Sequence, residues 1–468
     1  MVVCRPSFFS LVMTAIPAAM AAVGTSPSTP LSYPNITLES PIMSARVYMP
    51  TTKGHTDSAS KNFYTGSRFE HASMIGDFTY GGDQQFYGHD LWRIPHDSVW
   101  PESGIGLASE FGCGDNGATC AGKGTITNGV LGYESAKAGE PFLKIGVGAL
   151  VKGSCPDCVG DENGVYRFNS PYEFYRTPTW QVLPSPAYNE ITLRSEEVVG
   201  EYGYRLQKTV RLDGNIMTVR SILSNLGKKQ FTTPWYSHHF FTGNDEPVGP
   251  GYQLDLGLSE YALQTLTPQF KQPGLGTWSS DILEYANVTM APDKSISIRM
   301  KKVVPDGVRL KAEFLDENLV TLTDGSFTLH SPNGVSVFEK IPELQTQSRN
   351  PFIYAYNVYA ERGTLSPEPM LLLYLEPEET TTWTQHLKIS VERNPAGSGW
   401  FLSMFSEEVW WGKRFHSSSR AALMLLVSCF GMFVASYTRS RGGARRRIDY
   451  VSIPDHSKEE DGNVLSVV

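Results

Sequence analysis

Between residues 61 and 394 the chain alternates apolar and polar positions with a period of two for long stretches. Tyr204, Leu206, Val210 and Leu212 fall on one parity among polar neighbours, and Asp213-Gly214 then leads into a second alternating run, 216–223. A period of two marks a half-buried strand, because successive side chains point to opposite faces. Further turn dipeptides, Asp306-Gly307, Asp324-Gly325 and Asn333-Gly334, lie between β-branched or alternating stretches and predict hairpins. No long helical periodicity interrupts this region and no propeller-type repeat is visible. The reading is one large all-β domain over residues 61–394.

The two ends follow a different pattern. Residues 1–21 read as a signal peptide: Arg5 supplies a positive start, an apolar core follows, and Ala19-Met20-Ala21 is a small-x-small cleavage site. Pro17 argues against the other reading, a buried N-terminal helix. Residues 22–60 form a Ser/Thr/Pro-rich segment, and 395–420 a juxtamembrane linker. Residues 421–437 (AALMLLVSCFGMFVASY) are apolar and uncharged, at the short end of the roughly 17–25 residues a transmembrane helix needs. Trp410 and Trp411 precede this run, and Arg439, Arg441, Arg445, Arg446 and Arg447 follow it. That flank favours a spanning helix over a buried core helix. It also predicts a single-pass type I protein of the secretory pathway or cell surface, its N-terminal domain lumenal or extracellular. The cytosolic tail, 438–468, carries Tyr450-Val451-Ser452-Ile453, a pattern that sorting adaptors read, and a C-terminal Ser466-Val467-Val468.

Composition narrows the function. The 468 residues carry a net charge of −8 with no basic face in the body of the chain, and no Walker-type phosphate loop is present, so nucleic acid is not an expected partner. Of the 6 cysteines, Cys4 falls in the signal and Cys429 in the membrane segment. Cys113, Cys120, Cys155 and Cys158 remain. Their spacing admits zinc or, for Cys155-Pro156-Asp157-Cys158 alone, a redox motif, but an oxidising lumen favours two disulfides with the pairing open among three connectivities. Asn35 and Asn287 head glycosylation sequons.

The most informative chemistry is Ser224-Asn225-Leu226-Gly227 followed by Pro234-Trp235-Tyr236-Ser237-His238-His239-Phe240-Phe241, in a chain with only 10 histidines. Imidazole moves protons near neutral pH, and neighbouring aromatic rings are surfaces on which a sugar packs. A hydrogen-bonded histidine at a strand end and aromatics packed in the core are the plain alternatives.

These segments, taken with others, resemble the aldose 1-epimerase (galactose mutarotase-like) family over most of residues 61–390. The others are Arg68-Phe69-Glu70-His71, Gly106-Leu107-Ala108-Ser109-Glu110-Phe111-Gly112, Leu131-Gly132-Tyr133 with 142–148, and Leu365-Ser366-Pro367-Glu368 leading to Trp383. The resemblance implies a β-supersandwich ectodomain with a sugar cleft across one face. It also implies an isomerase that interconverts sugar anomers by acid/base ring opening, on free or terminal sugars, with neither a metal nor an organic cofactor needed. His238 takes the place of the family's acid, with His239 beside it. Glu368 takes that of the base, expected just before an apolar strand 370–375 at the sheet edge, with the two groups on opposite sides of the sugar ring.

Arg68 matches an arginine that grips sugar hydroxyls. His71, Trp235, Tyr236 and His239 are further substrate-binding candidates. The family's second histidine has no counterpart here. Glu110 stands in that region, either as a replacement hydrogen-bonding group or as a buried salt-bridge partner for Lys144. The chain is therefore a divergent, membrane-anchored member in this reading. Its alternative is a carbohydrate-binding membrane ectodomain without catalysis; a lyase-type activity is disfavoured because no Ca²⁺ loop or tyrosine-based motif stands out.

Overall fold

A computed structural model describes residues 33–50, 63–81, 84–87, 106–112, 130–158, 166–168, 170–185, 187–244, 246–257, 266–269, 282–290, 296–306, 308–316, 325–341 and 351–391. The first strands are β1 (Asn35–Glu39), β2 (Met43–Tyr48), β3 (Met74–Tyr80), β4 (Gln84–Tyr87) and β5 (Leu107–Phe111). Then come β6 (Pro141–Lys144), β7 (Gly148–Val151), β8 (Phe174–Arg176), β9 (Trp180–Leu183), β10 (Glu190–Val199), β11 (Tyr202–Asp213) and β12 (Ile216–Asn225). The chain continues with β13 (Phe231–His239), β14 (Gln253–Gly257), β15 (Leu266–Gln269), the one-turn helix α1 (Ile282–Tyr285), β16 (Ala286–Met290) and β17 (Ile296–Met300). It closes with β18 (Leu310–Asp316), β19 (Ser326–His330), β20 (Val335–Lys340), β21 (Phe352–Glu361), β22 (Thr364–Leu375) and β23 (Thr380–Val391). Among the described residues the architecture is all-β, as the alternation predicts.

These strands form two ten-stranded sheets and one of three strands. The first runs β1-β2-β3-β5-β13-β22-β21-β18-β15, with β4 on β3; the second runs β16-β17-β14-β19-β20-β23-β12-β11-β10-β9; the small one is β6-β7-β8. The Ser/Thr/Pro-rich segment contributes β1 and β2 to the first sheet. One continuous apolar core joins the two large sheets. Trp235 and Phe111 of the first meet Trp383 of the second, with ring centroids 5.1 and 6.1 Å apart. In β11 the inward row is Tyr204, Leu206, Val210 and Leu212, the parity legible in the sequence. Burying such a side chain is worth about 1.5–3 kcal/mol.

Asp213-Gly214 closes the β11–β12 hairpin and Asn333-Gly334 the β19–β20 hairpin, as expected. Of the other two dipeptides, Gly307 and Asp324 lie outside the described residues. β17 and β19 belong to the second sheet and β18 to the first, so neither β17–β18 nor β18–β19 is a hairpin. The Asn225-x-Gly227 turn is structural. Asn225 Oδ1 accepts from the Gly227 amide at 2.8 Å, while its Nδ2 donates to the Lys229 carbonyl at 2.8 Å. A Cβ on Gly227 would lie 2.5 Å from the Glu201 carbonyl oxygen, so only glycine fits.

Chain contacts divide the molecule into 1–394 and 395–468, and every described residue belongs to the first unit. The expected signal peptide, membrane segment and tail all lie outside the described residues, as do Cys113 and Cys120. No described helix is long and apolar enough to cross a membrane.

Candidate active site

The two residues expected to do acid/base chemistry come together, though not as the sequence suggested. Glu368 does not precede a strand; it lies within β22, which runs from Thr364 and sits between β13 and β21 in the sheet interior. The β13–β22 ladder pairs Tyr236 with Met370, and the same register returns at the bridge Phe241–Leu365. Carried through the gap, that register sets His238 directly opposite Glu368.

Pro367 and Pro369 explain why the ladder is open there. The Leu365 amide donates to the Phe241 carbonyl at 3.1 Å, so odd-numbered positions of β22 aim their nitrogens at β13. At 367 and 369 those nitrogens carry no hydrogen. The Ser-Pro-Glu-Pro run therefore leaves two rungs unmade inside a continuous sheet.

A side chain fills part of the gap. Ser366 Oγ accepts the His239 backbone amide at 3.0 Å, lies 3.1 Å from His238 Nδ1, and donates to Glu368 Oε1 at 3.1 Å. With its single proton given to Glu368, Ser366 takes one from His238, which assigns the Nδ1–H tautomer. His238 Nε2 then faces Glu368 Oε1 at 3.3 Å. Both side chains are buried, and burial drives each toward its neutral form. It raises Glu368 to about 7, against the downward pull of Lys311, Ser366 and Arg68. It holds His238 well below the ordinary imidazole value, assisted by the charge of Arg68 and by the neighbouring His239. Burial thus favours a neutral imidazole and a protonated carboxyl, two groups 3.3 Å apart that together hold one titratable proton.

Around this pair stand Phe240, stacked on His238 at 3.9 Å, and the edges of Phe69 and Tyr359 at 5.8 and 5.6 Å. Arg68 is 18 % exposed and lies over the Phe69 and Phe168 rings at 4.5 and 5.3 Å. Its Nε donates to Glu110 Oε2 at 3.1 Å and an Nη to the Tyr236 hydroxyl at 3.2 Å. Burial pulls the guanidinium down, but Glu110 and Tyr236 outweigh it and keep the charge in place. Tyr236 donates to Glu110 at 2.6 Å, and Lys144 completes the cluster with Nζ 3.0 Å from Glu110 Oε1. The structure thus shows Glu110 as Lys144's buried partner, and in addition as the group that orients Arg68. Tyr236 is tied to that cluster rather than presenting an open ring.

The remaining candidates lie elsewhere. Trp235 is fully buried on the opposite face of β13, its indole donating to Glu70 Oε1 at 3.1 Å, so it stacks on no ligand. His239 shares that inner face, with Nε2 2.9 Å from Glu339 Oε2 in a geometry poorly aligned for a hydrogen bond. His71 points its Nε2 at the Gly66 carbonyl, 2.8 Å away, and burial lowers it to about 4. It is a structural histidine. Cys155 and Cys158 form a disulfide with each other in the aromatic cluster beneath the small sheet. Asn35 and Asn287 are both exposed. Among the described residues no group of three or more His, Cys, Asp or Glu side chains could hold a metal ion. A cavity of about 480 Å³ lies away from this chemistry, lined by Arg176, Gln181, Arg194 and Glu196.

Sequence reasoning passed over three residues here: Ser366, and the buried pair Glu70–Lys208, whose atoms are 2.9 Å apart. Lys208 was legible. It interrupts the apolar row Tyr204, Leu206, Val210, Leu212 on the inward parity, and a lysine there requires an acidic partner.

The fold and site together define an all-β protein with a buried imidazole–carboxyl pair beside a fixed guanidinium. No protein-family model and no curated protein matches the chain. It is similar to solved structures that include a galactose mutarotase-like protein from Lactobacillus casei, at 12% identity over 76% of this chain and 100% of that one, TM-score 0.41. Another is a homologue of the GalM/aldose epimerase from C. elegans, at 9% identity over 77% and 100%, TM-score 0.41. A Synechocystis protein matches at 12% identity over 78% and 99%, TM-score 0.41.

Proposed function

We propose that this protein is an aldose 1-epimerase-like isomerase, interconverting the anomers of a sugar by ring opening, with His238 as acid and Glu368 as base. The observation that supports it most is the direct opposition of His238 and Glu368, their side chains 3.3 Å apart. Ring opening needs a proton delivered to the ring oxygen and another removed from the anomeric hydroxyl. Both oxygens are bonded to the same carbon, so neighbouring groups on one face suit the task better than groups across the ring.

The ion pair and the neutral pair hold the same single proton and differ only by its transfer across the 3.3 Å contact. In the ion-pair form, Glu368 takes the hydroxyl proton as His238 protonates the ring oxygen, and the open-chain sugar is left beside the neutral pair. Rotation of the carbonyl and reclosure on its other face restores the starting charges. Arg68, held by Glu110 and Tyr236, supplies donors for sugar hydroxyls. The apolar segment 421–437 with its arginine flank supports the further proposal that the domain is displayed on the lumenal or outer side of a membrane.

Polarimetry of freshly dissolved α-aldoses tests the reading. Acceleration over buffer that Glu368→Gln abolishes, with sugar binding retained, is the expected result. Binding without acceleration by the wild type for every aldose tried would instead favour a carbohydrate-binding ectodomain.

A further inference from the structure

Asn357 lies one strand beyond the catalytic pair and belongs to none of the networks described above. It is a β21 residue, 4 % exposed, and the β21–β22 register pairs it directly with Glu368. Directly opposed residues project from the same face of a sheet. His238, Glu368 and Asn357 therefore form one cross-strand row: imidazole, carboxyl, carboxamide. Neighbouring members are separated by about one strand spacing, ~4.8 Å.

The carboxamide Oδ1 is buried with no hydrogen-bond partner among the described residues. Such a group costs about 1–3 kcal/mol and calls for an explanation. Packing alone offers none: an apolar side chain would fill the place without that cost.

From the row and the unmet acceptor we infer that Asn357 is a specificity-determining residue that reads the substituent on C2 of the sugar, accepting a hydrogen bond from a 2-hydroxyl. This inference rests on the epimerase reading, because that reading fixes how the sugar lies. The anomeric carbon has three heavy-atom neighbours: the ring oxygen, the anomeric oxygen and C2. His238 addresses the first and Glu368 the second. The group on the far side of Glu368 from His238 then meets the third. The substrate class follows: aldoses with a free 2-hydroxyl, in preference to 2-deoxy sugars.

Matched pairs decide it. Catalysed anomerisation by the full chain is measured for D-glucose against 2-deoxy-D-glucose, and for D-galactose against 2-deoxy-D-galactose, in wild type, Asn357→Ala and Asn357→Leu. The wild type is expected to favour the parent sugar of the preferred pair by about tenfold or more in kcat/KM, since a site built around a substrate hydroxyl penalises its loss. Both variants should bring parent and deoxy sugar within about twofold, by lowering kcat/KM for the parent alone. Thermal unfolding checks that each variant is folded, and Asn357→Leu, with the same branching and side-chain heavy-atom count, guards against a cavity artefact.

Wild-type indifference to the 2-hydroxyl, or an equal loss for both sugars in the variants, overturns the inference and leaves the epimerase reading standing. No acceleration of any of the four sugars by the wild type overturns the reading and this inference with it.

Discussion

On the proposed epimerase reading, burial at His238 and Glu368 sets the conditions under which the pair would work. Glu368 is raised to about 7 and His238 is held well below its ordinary value, so the one-proton state persists up to about pH 7. Above that the proton leaves and the pair has no acid. Catalysed anomerisation should therefore fall by about tenfold per pH unit on the alkaline side of a midpoint near 7. A pH–rate profile whose activity kept climbing to pH 9 would contradict this.

The same shift has a stability consequence. A carboxyl raised in the folded state stabilises it fully below the unfolded value of 4.5, and that stabilisation is lost as pH rises through about 7. The loss is on the order of 3 kcal/mol. Glu368→Gln should remove this slope, making the variant more stable than wild type at pH 8 by urea unfolding. His71 acts in the opposite sense. Its value, lowered to about 4, gives stability present above 6.5 that fades as pH falls through 4.

At the scale of elements, the site exists because one strand is denied two donors. Restoring them in Pro367→Ala/Pro369→Ala gives β22 amides aimed at β13, and the ladder should close beside His238. Amide exchange at 367 and 369 should then be as slow as at Leu371, with anomerisation reduced at least tenfold in a folded protein. Fast exchange at both positions would show that the gap has another cause.

The turn between β6 and β7 imposes a second local demand. Gly146 adopts a φ of +75°, and a Cβ there would lie 2.6 Å from Glu70 Cγ. Gly146→Ala is expected to cost about 1–3 kcal/mol, read as a lowered urea midpoint. The alternation of strands was legible in the sequence; the proline strand was not. Ser-Pro-Glu-Pro has turn chemistry locally, and only the neighbouring strand reveals that the missing hydrogens serve a gap. The faces of β13 were legible but went unused. Period two already separates Tyr236, His238 and Phe240 from Trp235 and His239, which removes Trp235 from any sugar surface.

Across the whole molecule the two faces of the first sheet divide the labour. Its inner face builds the apolar core with the second sheet, and its outer face carries His238, Glu368, Asn357 and Tyr236. The inner face also holds a charge pair that connects three parts of the chain: Glu70 bonds Lys208 of β11 and Trp235 of β13. Lys208→Met, which strands a buried carboxylate, should cost about 3–5 kcal/mol, while Glu70→Gln/Lys208→Met recovers much of that loss in the same urea titration. Contacts of this kind join residues far apart in sequence, which is why Glu70 could not be assigned a role from its own segment.

The most direct test of the shared-proton pair is two-dimensional proton exchange NMR between the α and β anomeric signals of an aldose at equilibrium, with catalytic amounts of protein at pH 6.5. Exchange cross-peaks well above buffer for wild type, lost in both His238→Asn and Glu368→Gln while sugar binding persists, is the predicted result. Exchange that survives either substitution would contradict the pair as the source of the chemistry.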